Sequence, residues 1–201
     1  MERISTTRLA GALAMGVFLA ACSPKKDNTT DTLATTPPAT ATTPTPATGD
    51  VAGGWTDANV VDALTTANQG EVDYSKIAAD KATNPSVKQF AQLMVKDHSA
   101  MVDGLKSLTS KLNVTPAAND KVNDLIKENQ KDINDLNGKT GKDFDKEFME
   151  EQVDMHQETL DLLNDLDGKT TNPDIKAAIA EAKPKVQAHL DQAKSIKDKV
   201  D

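Results

Sequence analysis

From Thr56 onward, apolar residues return every three or four positions through five successive segments, and none of these segments shows the every-second-residue alternation of a strand. This spacing puts one apolar stripe on each of five helices and predicts an all-α domain. The first segment follows Thr56, a residue suited to an N-cap, and runs to about Ala82 with Val61, Leu64, Ala67, Glu71, Tyr74 and Ala78 on its stripe. Asn84-Pro85-Ser86 ends it and opens the second, because the residue before a proline avoids the α region. The second reaches Leu112 through Val87, Phe90, Met94, His98, Met101, Leu105 and Leu108.

A shorter third helix, about Pro116 to Leu136, carries Val122, Leu125, Ile126, Ile133 and Leu136. The fourth, about Lys142 to Asp167, carries Phe148, Gln152, His156, Leu160 and Leu163. The fifth starts at Asn172-Pro173 and carries Ile175, Ala178, Ala182, Val186, His189, Ala193 and Ile196. Gly138 and Gly168 close the third and fourth helices, where a left-handed residue just past the helix end is expected. Pro184 is expected to kink the fifth helix or loosen its hydrogen-bond ladder.

Four stripe positions carry a histidine or a carboxylate, each on a different long helix: Glu71, His98, His156 and His189, the last three being the only histidines in the chain. A polar group on a packed seam is costly unless it is paired or ligated. Glu71 and His98 lie at nearly equal distances on either side of Asn84, roughly 20 Å along their helices at 1.5 Å per residue, and His156 and His189 are similarly level about Asn172, roughly 25 Å away. The third helix is long enough to carry the chain back to the first turn, so that the fourth runs alongside the second and both pairs reach mid-height. This is the single-crossover, ferritin-like four-helix bundle with one additional helix.

A layer of three imidazoles and one carboxylate suits one transition-metal ion: iron, zinc, copper or manganese. Asp97 and Asp154, beside histidines but on neighbouring faces, read as supporting it from behind or as exposed, and Tyr74, three after Glu71, as a donor to it or as packing. The two-metal signature, a Glu three residues before each of two histidines, is missing, since those positions are Val95, Val153 and Val186. The alternative is a metal-free polar cluster fixing the register of a structural or interaction module, with the third helix as its docking element. Met94 and Met101 flank His98 and read as core filler. No Gly-rich phosphate loop, Ser-His-Asp arrangement or paired catalytic carboxylates are legible, so no catalytic residue is assigned.

The N-terminus sets location. A basic start and an apolar run from Leu9 to Ala21, too short to span a membrane, form a secretory leader. Leu19-Ala20-Ala21-Cys22 resembles the bacterial lipobox, which implies cleavage before Cys22 and a lipid on its sulfur; Ser23 after it implies sorting to the outer membrane, facing the periplasm. The expected layout is a leader at 1–21, a lipidated Cys22 with a Thr/Pro/Ala-rich linker to 54, and a helical domain at 55–201. Such a linker cannot bury enough apolar surface to order itself. Cys22 is the only cysteine, which excludes a disulfide within the domain and a Cys-type zinc site. The formal charge is −8, and −9 once the leader with Glu2, Arg3 and Arg8 is removed. That balance argues against nucleic acid and leaves the lipid anchor as the membrane contact. No protein partner is identified.

The run Glu71-Val72, Asn84-Pro85-Ser86-Val87-Lys88-Gln89-Phe90-Ala91 and Met94-Val95-Lys96-Asp97-His98, with Phe144-Asp145, His156, and Pro184 before His189-Leu190, resembles the bacterial domain-of-unknown-function 4142 family over about residues 56 to 197. The resemblance implies a ferritin-like core, an exported location, and Glu71, His98, His156 and His189 at the recurring polar positions. It implies no reaction.

Overall fold

The computed structural model describes residues 54–200. The expected leader, lipidated Cys22 and linker to residue 53 lie outside the described residues. Within them the chain forms five helices and no strand: α1 (Asp57–Lys81), α2 (Pro85–Leu112), α3 (Asp120–Asn137), α4 (Gly141–Asp167) and α5 (Pro173–Val200).

The caps explain most boundaries. Thr56 accepts a hydrogen bond from the Asn59 amide at 3.3 Å, and the Asn59 side chain accepts from the Thr56 amide at 3.0 Å, a reciprocal capping box. Asn84 caps α2 with Pro85 in its first turn, and Asn113 closes it in a left-handed conformation. Helix α3 begins four residues later than the sequence predicts. Residues before it are held by the start of α1 instead: the Asn59 side chain donates to the Ala117 carbonyl at 2.7 Å, and the Ala117 amide donates to the Ala58 carbonyl at 3.3 Å. Asn119 then caps the helix through the Val122 amide.

Two glycines depart from expectation. Gly138 and Gly168 have φ of −74° and −79°, in the right-handed region. Each instead donates its amide to carbonyls of the preceding turn, and in the α3–α4 connection the left-handed residue is Gly141, with φ of 58°. Helix α5 passes through Pro184 without a break.

Hydrogen bonds at the two ends of the bundle fix its topology. Asp145, at the start of α4, accepts from the amides of Thr83 and Asn84 at 2.9 and 2.8 Å and from the Thr83 hydroxyl. The beginning of α4 therefore sits at the α1–α2 turn. At the opposite end, the Thr170 hydroxyl donates to Asp57 at 2.6 Å and the Asn172 amide group to the same carboxylate at 3.3 Å, which pins the α4–α5 turn to the start of α1. Helix α3 returns the chain along α1, as expected of the crossover. The lateral order differs from the sequence reading. Helix α4 packs against α1, α3 and α5, whereas α2 packs against α1 and α5, so α2 and α4 are diagonal. The cause is α3, which lies on α1 and delivers the chain to that side of the bundle.

The core has two apolar clusters. One, at the α1–α2 turn, is built on Tyr74, Phe90, Met94, Phe144, Phe148 and Met149. The other, at the α4–α5 turn, is built on Val60, Leu64, Leu105, Val122, Leu166 and Ile179. Met94 is core filler as expected; Met101 is only half-buried, with Val102 taking the buried place. Ile179 likewise replaces Ala178 on the seam of α5, and Ile126 stands 50% exposed on the outside of α3.

Candidate metal centre

Between the two clusters lies a polar layer. His98 from α2, His156 from α4 and His189 from α5 are buried there with Glu71 from α1 and Gln152 from α4. The three rings form a triangle with centroids 5.6 Å apart for His98–His156, 5.3 Å for His98–His189 and 5.5 Å for His156–His189. One ring nitrogen from each lies within 4.8 Å of the other two.

Each ring is oriented from behind by an oxygen that can only accept, so the facing nitrogen must carry the proton. His98 Nδ1 donates to the Asn68 side-chain oxygen at 2.9 Å, whose own amide group is committed to the Leu64 carbonyl. His156 Nδ1 donates to the Gln152 carbonyl at 2.8 Å. His189 Nε2 donates to Asp97 at 3.1 Å. The opposite nitrogens, Nε2 of His98, Nε2 of His156 and Nδ1 of His189, are buried and have no hydrogen-bond partner. Three lone pairs are thus presented to one small volume by rings whose tautomers are already set. Outer partners orient imidazoles toward a metal in this way.

Burial also keeps the rings neutral. It holds His98 well below the usual imidazole range, with the other two rings adding to the effect, brings His156 to about 4, and lowers His189 against the opposing pull of Asp97. Glu71 is pushed up to about 7 by burial, partly offset by a 2.8 Å hydrogen bond from Gln152.

His98, His156 and His189 come together. Glu71 belongs to the layer but stands outside the three-nitrogen group: its Oε1 lies 3.4 Å from His156 Nδ1, the protonated side of that ring. Asp97 accepts from His189 and stays partly exposed. Tyr74 stacks on Phe148 with ring centroids 5.4 Å apart, as part of the apolar cluster. Asp154 is exposed to solvent two residues from His156, because that offset turns it to the outer face of α4. Asn68 and Gln152 were not assigned to the site. The signal for Asn68 was available, since Val61, Leu64, Asn68, Glu71, Ser75 and Ala78 also repeat every three or four residues. Gln152 was on the α4 stripe, but its carbonyl role has no sequence signal.

Comparison with known proteins follows the same lines. The profile of the family described as a domain of unknown function (DUF4142) matches residues 38–196, beginning inside the expected linker, and the chain belongs to that family. No curated protein sequence matches the chain. Among solved structures, CopM in an Ag-bound form is similar at 20% identity and a TM-score of 0.57, covering 72% of this chain and 97% of CopM. Its Cu(I)-bound form gives 20% and 0.56, and its apo form 20% and 0.57, with 72% of this chain covered in each case and 97% and 98% of CopM. At this identity the likeness establishes the shared all-α bundle.

Proposed function

We propose that this DUF4142 protein is an exported bacterial lipoprotein that binds one transition-metal ion, of the copper or zinc kind, through His98, His156 and His189. The observation that carries the reading is the set of three buried, unpartnered ring nitrogens that converge in the middle of the bundle. An unsatisfied buried polar atom costs about 1–3 kcal/mol. Three of them aimed at one point are a poor way to stabilise a helix bundle and a good way to hold a cation.

Imidazole donors suit zinc and copper, and the absence of a carboxylate from the three-nitrogen group disfavours manganese. CopM structures with Cu(I), Cu(II) and silver support the copper end of that range. Half-buried Asp97 stands behind His189, and buried Glu71, whose proton a bound cation would displace, stands behind His156, so charge is balanced without either acting as a ligand. The leader-like segment and lipobox support an envelope location on the periplasmic face of the outer membrane, held by a lipid on Cys22.

Elemental analysis of protein purified without a histidine tag tests the metal reading. About one equivalent of copper or zinc is expected in the wild type, and none in a His98→Leu/His156→Leu variant. Clean absence from the wild type after reconstitution with both metals supports the metal-free interaction module instead. Replacing Cys22 with Ala is expected to move the protein from the membrane to the soluble fraction, and unchanged fractionation rejects the anchor.

A further inference from the structure

A cation reaching the buried histidines must cross the wall of the bundle, and among the described residues two clefts approach the layer. One, of about 330 Å³, lies between α2 and α5 and touches Asn68. Its walls are mainly small or apolar, among them Met101, Gly104, Ala178 and Ala182, and its charges nearly cancel: Asp174 and Glu181 against Lys185. The other, of about 390 Å³, lies between α1, α3 and α4. Its walls carry Glu128 and Asp132 from α3, Glu158 and two further aspartates from α4, and a single lysine, Lys121. Glu71 forms part of its inner wall.

Glu71 is the feature that distinguishes this cleft from an ordinary acidic surface. It is 2% exposed, yet Oε1 has no hydrogen-bond partner. The same carboxylate lies 3.4 Å from His156. A buried acceptor with an unused lone pair therefore stands between an acidic cleft and the histidine layer. The outer acids crowd one another: burial and then Asp132, Asp154 and Glu158 bring half-buried Glu151 beside them to about 7, while burial raises Asp132 against the opposing pull of Lys131, 3.7 Å away. A divalent cation relieves that crowding, and carboxylate oxygens are the donors that hard or exchanging cations prefer.

We infer that the α1/α3/α4 cleft is a second cation site, where Glu128, Asp132 and Glu158 collect a divalent ion over Glu71 before it passes to the histidines. The collecting part of this inference stands on the cleft alone; the transfer part rests on the metal reading given above. Clefts lined by one sign of charge concentrate counter-ions and raise association rates by about 10- to 1000-fold.

Two measurements on the protein test it. Manganese(II), an oxygen-preferring paramagnetic ion, is titrated while amide resonances are followed by NMR. Selective broadening around residues 125–132 and 155–162, lost in the Glu128→Gln/Asp132→Asn/Glu158→Gln variant, is expected. Broadening spread evenly over the acidic surface, or no broadening, overturns the site. Glu128 and Glu158 are exposed and the Asp132 side chain is 15% exposed, and circular dichroism checks that the variant keeps its fold. Zinc loading is then timed by stopped flow. The triple variant is expected to load about tenfold more slowly at low salt while reaching the same stoichiometry, with the salt dependence flattened. An unchanged rate, or a comparable slowing by Glu181→Gln in the α2/α5 cleft, overturns the transfer route. If the wild type takes up no zinc or copper at all, the histidine reading fails, and the manganese experiment still decides the cleft.

Discussion

The two ends of the bundle and its middle are built by opposite rules. At the ends, large side chains interdigitate and each turn is locked by a carboxylate with its partners in place: Asp145 with Thr83 and Asn84, and Asp57 with Thr170 and Asn172. In the middle, polar groups replace the hydrophobes, and the buried side-chain polar atoms without a partner among the described residues all belong to this layer or its margin: Glu71, Ser75, His98, Gln152, His156 and His189. The ends carry stability. The middle costs stability, and a fold tolerates such a cost where a ligand is to be held.

The contrast is broken most directly at the ends. Phe148 is fully buried, stacked on Tyr74 and edge-on to Phe90. Phe148→Ala is expected to lower the unfolding free energy by about 3–5 kcal/mol, measured by urea denaturation. A loss below about 1 kcal/mol would mean the turn-end cluster is not the core. The middle should answer to metal instead. Saturating zinc or copper, at about 100 times the dissociation constant, is expected to add about 2.7 kcal/mol to the wild type. Phe148→Ala should keep this increment, and His156→Leu should lose it. A metal-induced rise in melting temperature that survives in His156→Leu places the ion elsewhere.

The difference between the regions also sets what the sequence could reveal. The histidines were legible because each sits on a helical stripe and the turns at Asn84 and Asn172 fix their levels. Helix identity was legible for the same reason, with the boundaries of α1 and α2 set by Thr56 and by Asn84-Pro85 as read. What was hidden depends on tertiary contacts. Helix α1 faces α2, α3 and α4 at once, so its buried face is broad enough to admit both Tyr74 and Ser75. Two stripes then fit the same spacing, and periodicity shows the one through Asn68 without telling that Asn68 faces His98. The late start of α3 follows from backbone bonds to Ala58, and the side of the bundle taken by α4 follows from where α3 docks. The place of Glu71 behind His156 depends on the Gln152 side chain and carbonyl, which periodicity does not report.

A finer test uses the opposite pKa shifts within the layer, in metal-free protein with chelator present. The native pKa of His98 is depressed, so its neutral burial favours folding above the unfolded value near 6.5 and becomes a penalty as pH falls below it. The native pKa of Glu71 is raised to about 7, so the folded state keeps a proton that the unfolded chain releases near 4.5, and stability is lost as pH rises between those values. Relative to wild type, His98→Leu should therefore gain on acidification from pH 6.5 toward 4.5. Glu71→Gln should gain on going from pH 4.5 to 7. Each change is on the order of 1 kcal/mol per pH unit. Slopes of the same sign would show that the two groups do not share the buried layer.

The smallest effect separates the docked helix from open surface, with two glycines as probes. Both Gly70 and Gly104 lie inside helices, where alanine is favoured over glycine by about 0.8–1.0 kcal/mol. A Cβ on Gly104 meets nothing within 4 Å, so Gly104→Ala should stabilise by nearly that amount. A Cβ on Gly70 would fall 2.3 Å from the Asn129 side chain, which donates to the Thr66 carbonyl and holds α3 against α1. Overpacking costs about 1–3 kcal/mol, which offsets the helix gain and leaves Gly70→Ala neutral to destabilising by about 1–2 kcal/mol. Adding Asn129→Ala should remove the obstruction and return most of the difference, because the two side chains then no longer compete for one space. Equal stabilisation by Gly70→Ala and Gly104→Ala would mean that α3 yields freely there, and that the cleft it walls has no fixed shape in solution.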